Sequence, residues 1–144
     1  MFAHLLIATD GSDLAAKAET TGLCLAKRLG ARVSAMTATE PWSAMTLGDP
    51  SAFDFPIVDF ERAAARRAGE ILARVSEAAA RLQVNCETVH VTDFPAEAVI
   101  TTANARACDL IVMASHGRQG FKGMLGSQAR RVVTLSAVPV LICR

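Results

Sequence analysis

Alternating strand and helix patterns predict an α/β domain, with five short strands in a mostly parallel sheet and helices on both faces. Two observations carry that expectation furthest. Leu110-Ile111-Val112-Met113 is a continuous apolar run, as a strand covered on both faces requires. It leads directly into a glycine-rich loop, from Ala114-Ser115-His116-Gly117 to Gly126-Ser127, and then into a helix-like segment. Strand, glycine-rich loop and helix in that order cradle phosphates. Glycine lets the backbone approach an anion, and the helix start offers unpaired N–H groups to it. Gly117, Gly120, Gly123 and Gly126 fall within ten residues, with Arg118 and Lys122 among them.

The elements follow in chain order. His4–Thr9 reads as the first strand and ends at Asp10-Gly11-Ser12, a turn signal. Asp13–Leu29 follows as a helix, with Leu14, Ala18, Thr21, Leu25 and Leu29 forming an apolar stripe at spacings of three and four. Lys27 and Arg28 in the last turn, then Gly30, mark its stop. Arg32–Thr39 reads as the second strand. Glu40–Ile57 contains Pro41, Gly48, Pro50 and Pro56 and reads as a long irregular connection. Its Trp42, Phe53 and Phe55 predict that it packs back on the body or on a partner.

Val58–Leu82 is the longest predicted helix, with Ile71, Val75, Ala78 and Leu82 facing inward. Cys86–Val91 alternates as a strand. Pro95 suits a first helical turn, with Ala96–Arg106 following. Asp109–Ala114 is the fourth strand, Ser127–Ser136 a short helix and Val138–Cys143 the last strand. Crossovers between parallel strands are right-handed, and ligands bind such sheets at the carboxyl ends of strands, where the strand order reverses. With the first and fourth strands as neighbours, the Ala8–Ser12 turn and the glycine-rich loop face one crevice. The last strand reads as an edge, and pairing with a second copy would cover it.

The whole chain, residues 1–144, fits one domain, and 51% apolar content supports a packed core rather than disorder. A net charge of +1 advertises neither nucleic acid nor an anionic membrane as partner. The N-terminus lacks a secretory pattern, and no apolar run approaches the roughly 20 residues needed to cross a bilayer. These features predict a cytoplasmic protein. Cys24, Cys86, Cys108 and Cys143 show neither C-x-x-C spacing nor a zinc-like cluster; they read as buried free thiols in a reducing compartment. No Walker loop, no G-x-G-x-x-G after the first strand and no G-x-S-x-G elbow occurs, which argues against a P-loop motor, a Rossmann oxidoreductase and an α/β-hydrolase. No general base with an oriented partner stands near the glycine loop. The expectation is binding without fast turnover, and without metal ligands or catalytic residues of its own.

On Leu6-Ile7-Ala8-Thr9-Asp10-Gly11-Ser12, on Asp109–Arg118, on Gly126-Ser127 and on the terminal Val138–Ile142, the chain resembles the universal stress protein family over nearly its whole length. The resemblance implies a Rossmann-like, adenine nucleotide alpha hydrolase-like sheet of order 3-2-1-4-5 and a homodimer through the edge strand 138–143. In the nucleotide-binding branch it implies ATP between the first and fourth strands, with or without Mg²⁺ carried by the phosphates, and a stress-response role as sensor or regulator. That branch carries a G-x2-G-x9-G-[S/T] pattern. Here Ala114 holds the first position, Gly117 the second and Gly126-Ser127 the third, and eight residues rather than nine separate Gly117 from Gly126. Those departures motivate a second expectation, a dimeric interaction module of the same fold that has lost nucleotide binding.

Candidate ligand residues follow, each with a plainer alternative. The resemblance gives Asp10 a ribose hydroxyl; otherwise it orders the turn before the first helix. Gly117, Gly126 and Ser127 would hold phosphates through backbone N–H groups and the Ser127 hydroxyl, while Ser127 also reads as the N-cap of the last helix. Arg118 and Lys122 would neutralise phosphate or simply stay solvated. Gly120 belongs to the same loop, Gln128 to the helix start, and His116 to the pocket lining or to a structural turn. Ala8, Thr9, Ala38 and Met113 would wall the adenine or serve only as core, and Ala114 joins the site through the first position of the glycine pattern.

Overall fold

In the computed structural model, residues 1–42, 56–117 and 124–144 are described. The elements are β1 (His4–Ala8), α1 (Asp13–Leu29), β2 (Arg32–Thr39), α2 (Ile57–Arg81), β3 (Cys86–Thr92), α3 (Pro95–Ala105), β4 (Leu110–Ala114), α4 (Ser127–Leu135) and β5 (Val140–Cys143). All strand pairs are parallel and the order is β3-β2-β1-β4-β5, the arrangement expected. Of the long 40–57 connection, 43–55 with Phe53 and Phe55 lies outside the described residues. Trp42 packs on Phe60 of α2, ring centroids 4.7 Å apart.

Because side chains alternate along a strand, each central strand supplies both faces. Leu5, Ile7, Val33, Ala35 and Val112 pack with Ala18, Leu23, Leu72 and Val75 of α1 and α2. Leu6, Met36, Ile111 and Met113 pack with Val99 of α3 and Ala129 and Val132 of α4. Covering on both sides is why Leu110–Met113 is apolar without a break. Leu5, Leu6, Ile7 and Ile111 are each fully buried, at about 1.5–3 kcal/mol of transfer free energy apiece.

The helix α1 turns a different face to the sheet from the one its large residues mark. Ala15, Ala18, Gly22, Leu23 and Ala26 are buried, whereas Leu29 is exposed and Leu14 and Leu25 are only half-buried. Close approach decides this: a Cβ on Gly22 would stand 2.7 Å from Ile7 Cδ1, so a face of small residues sets the helix on the strand. The thiols also depart from expectation. Cys108 is buried, Cys86 and Cys143 are intermediate, and Cys24 is exposed, one position round α1 from the buried Leu23. Among the described residues no helix is long and apolar enough to cross a membrane.

Three helices end in one motif. After α1, Ala31 N bonds Ala26 O and Gly30 N bonds Lys27 O. Val84 and Gln83 repeat this on Ala79 and Ala80, and Cys108 and Ala107 on Ala103 and Asn104. These are Schellman caps, whose penultimate donor sits in the left-handed region. Glycine fills it after α1, but Gln83 has φ 58° and Ala107 φ 51°. A left-handed L-residue costs about 1–2 kcal/mol, partly offset by the extra unfolded-state freedom of glycine. Ala107→Gly is therefore expected to raise stability by about 0.5–1 kcal/mol, seen as a small increase in denaturation midpoint.

At the amino edge of the sheet, buried His4 places Nε2 2.9 Å from Ser34 Oγ. Burial holds its pKa below the usual value, and the Arg32 charge adds to this. Burial works the other way on Asp109, but the amide donors of Ala3 and His4 outweigh it and the carboxyl stays below its usual range. Both depressed values mean that the unfolded chain binds more protons in acid. The His4 contribution is present above about pH 6.5 and lost below it, at no more than about 1.4 kcal/mol per pH unit, and that of Asp109 is lost only below about pH 3.9. Thermal melts between pH 7.5 and 5.5 should show falling stability, and His4→Gln should flatten that slope.

Candidate functional site

In the order β3-β2-β1-β4-β5 successive strands are added towards one edge up to β3 and then towards the other from β4, so the switch point lies between β1 and β4 and the crevice opens at their carboxyl ends. Thr9 N extends the ladder onto Met36 O at 2.9 Å. The Thr9 hydroxyl accepts from Gly11 N at 3.1 Å and donates to the Glu19 carboxylate of α1. Its polar end is thus spent on α1. Asp10 Oδ1 accepts from Ser12 N at 2.9 Å, and Ser12 Oγ accepts from Ala15 N at 3.2 Å. Asp10 therefore orders the turn while Ser12 caps α1. Gly11 has φ +76°, and a Cβ there would lie 2.8 Å from Ile71 Cγ1, so both conformation and space demand glycine.

The β4 loop meets this turn. A Cβ on Gly117 would stand 2.6 Å from Asp10 Oδ2, so the Asp10 carboxylate lies against the Gly117 backbone. Ser115, buried, bonds Cys143 O through its N at 2.8 Å, and its Oγ is 3.2 Å from His116 Nδ1. The chain returns at Gly126, whose N donates to Ser115 O at 2.7 Å. A Cβ on Gly126 would stand 3.2 Å from His116 Cα, His116 Cβ and Ser115 O. The two ends of the glycine-rich loop thus press on each other, backbone to backbone. Arg118, Gly120 and Lys122 lie outside the described residues.

Three expectations change here. The Gly126 amide is committed to Ser115, so it is not among the donors left for an anion. Gly126, not Ser127, holds the N-cap position of α4, without a side-chain bond. The Gln128 side chain is also engaged, its Oε1 accepting from Ala96 N at 3.1 Å and so tying the starts of α3 and α4 together. The first helical bond of α4 runs from Arg130 N to Gly126 O at 2.9 Å. The amides of Ser127, Gln128 and Ala129 precede it, which leaves them outside the helical ladder. Ala114 is buried in extended β4 and absent from the positive-φ residues, so alanine fits the first position of the glycine pattern without strain.

These groups surround one cavity of about 870 Å³, within the size range of small-molecule sites. Ala8, Thr9, Asp10 and Ala38 line its β1–β2 side, and Met113, Ala114, His116 and Gly117 its β4 side. Gly126, Ser127 and Gln128 close it at α4. Sequence reasoning missed Met36 on β2 and Glu40 just beyond it, Pro95 and Val99 on α3, and Met124 and Arg130 around α4. Glu40 was findable, since it follows the carboxyl end of β2; Val99 needed the packing of α3. Charge is divided across the cavity, with Asp10 and Glu40 towards β1–β2 and Arg130 with the α4 start towards β4. Among the described residues no group of three or more His, Cys, Asp and Glu could hold a metal ion.

Open parallel α/β sheets take ligands at such a switch point, and here that position holds a glycine-bordered cavity. The chain belongs to the universal stress protein family, whose model matches residues 1–144. It is 34% identical to the universal stress protein YxiE of Bacillus subtilis, covering 100% of both chains. It shares its fold with UspA of Lactobacillus plantarum, at TM-score 0.86 and 22% identity over 99% of this chain and 98% of that one. Two further structures with the fold are a universal stress protein in complex with cAMP (TM-score 0.70, 23% identity, 99% and 97% coverage) and one from Archaeoglobus fulgidus in complex with dAMP (TM-score 0.69, 18% identity, 100% and 98% coverage).

Proposed function

We propose that this cavity binds an adenine nucleotide, ATP or a close relative, and that the protein is a cytoplasmic sensor or regulator with little or no hydrolysis. The observation that carries the reading is the convergence of the Asp10 turn, the Gly117–Gly126 closure and the start of α4 on one cavity. Phosphate oxygens dock on the amides of Ser127, Gln128 and Ala129, where the helix dipole favours an anion. Arg130 adds positive charge, and Mg²⁺ arrives on the phosphates. The sugar faces Asp10, and Ala8, Ala38 and Met113 wall the base. The cAMP and dAMP complexes of other family members support an adenine ligand. Among the described residues no oriented base adjoins the phosphate end, which favours binding over turnover.

The same reading includes a homodimer through β5. Val140–Cys143 ends the sheet and is only half-buried along its length, and a copy across a two-fold axis would cover it. Isothermal titration with ATP and with AMP, with and without Mg²⁺, tests the ligand. Saturable heat is expected, with a rise in melting temperature as nucleotide is added. Neither heat nor a shift at millimolar nucleotide would leave the interaction-module reading in its place. Light scattering tests the dimer.

A further inference from the structure

We propose that Glu40 selects among nucleotides by excluding those that carry a second anionic group at the sugar end; this rests on the nucleotide reading above. The cavity is polarised along the sheet. Strands lie about 4.8 Å apart, so β2 and β4, with β1 between them, are separated by about 10 Å. A ligand whose 5′-phosphate sits on the α4 amides, beyond β4, extends its nucleoside across β1 towards β2. Asp10 and Glu40 are the carboxylates that line this far side.

The two acids differ in how they are held. Asp10 is built into the turn through Ser12 N and rests on Gly117, so its position is that of the loops. Glu40 follows Thr39, whose carbonyl oxygen accepts from Asp93 N at 3.0 Å. That bond anchors the strand end just before Glu40. The Glu40 side chain is exposed on the cavity wall and has no hydrogen-bond or ion-pair partner among the described residues. A carboxylate so placed accepts a hydrogen bond from a sugar hydroxyl and repels a phosphate in the same position. In dinucleotide-binding folds of strand order 3-2-1-4-5-6, a carboxylate that hydrogen-bonds a ribose hydroxyl makes the same distinction between the hydroxyl and its phosphate. Here the cavity geometry puts Glu40 in position for the same discrimination.

Titration calorimetry on the full chain tests this with AMP, adenosine 2′,5′-bisphosphate and adenosine 3′,5′-bisphosphate as probes. The wild type should bind AMP at least about tenfold more tightly than at least one bisphosphate. Glu40→Gln should narrow that ratio, Glu40→Lys should abolish or invert it, and added salt should shrink the wild-type gap. A wild-type ratio near one, or a ratio that persists unaltered in both variants, overturns the proposal. Should Glu40→Lys fail to fold, the isosteric Glu40→Gln decides alone. AMP that fails to bind the wild type sinks the nucleotide reading and this proposal together. AMP binding with an indifferent ratio sinks only this one.

Discussion

Gly126→Val is expected to lower nucleotide affinity by about 100-fold while leaving a folded protein. A Cβ at residue 126 would already stand 3.2 Å from His116 Cα, His116 Cβ and Ser115 O, and a branched side chain adds two further carbons to that contact. Two of the three crowded atoms are fixed by the backbone, and Ser115 itself is anchored by its N to Cys143 O. The neighbours cannot rotate away, so the start of α4 must move. The Gly126 N to Ser115 O bond of 2.7 Å lengthens with it, and the amides of Ser127, Gln128 and Ala129 lose their aim. Losing two hydrogen bonds to a charged phosphate, at about 1.5 kcal/mol each, amounts to roughly 100-fold. Overpacking itself costs about 1–3 kcal/mol, within the stability of a typical domain. Titration beside a thermal melt separates the two effects. Unchanged affinity in a folded Gly126→Val protein would show that the phosphate end lies elsewhere.

What could be read in advance followed patterns that are local in the chain. The apolar run Leu110–Met113, the turn at Asp10-Gly11-Ser12 and the stop at Gly30 each encode one element through period, turn chemistry or capping, and strand–helix alternation then restricts the topology. The convergence of the Asp10 turn with Gly117 also followed, because the carboxyl-edge rule needs only that β1 and β4 be neighbours. The α1 face departs from its large-residue stripe because close approach, not bulk, decides which side is buried. Where Gly22 lets the helix approach Ile7, Ala15, Ala18 and Ala26 make the contact and Leu29 faces out. Ser127 matches a capping preference, but the close approach of Gly126 to His116 shifts the cap one residue back. The Gln128 bond to Ala96 spans 32 residues and joins two helices whose adjacency exists only after folding. No spacing in the chain announces it.

Leu6→Ala is expected to be the costliest single truncation near the site, at about 3–4 kcal/mol. Leu6 is fully buried in the middle of β1, opposite Ser34 on one side and Ile111 on the other. It packs in the cluster that holds Met36, Val99, Met113 and Ala129, four residues that also line the cavity. Removing a buried leucine loses its transfer free energy and leaves a void that a hydrogen-bonded central strand cannot close. For a domain of this size the melting temperature should fall by about 10 °C. Because Leu6 and Ala8 share a face of β1, the void opens beneath the cavity floor rather than within it. The donors at α4 and the turn at Asp10 keep their own anchors. Nucleotide at 100 times its dissociation constant should therefore return about 2.7 kcal/mol of the loss, a melting shift close to that of the wild type. A Leu6→Ala protein that melts as expected but gains nothing from nucleotide would mean that this core face and the cavity form one packing unit.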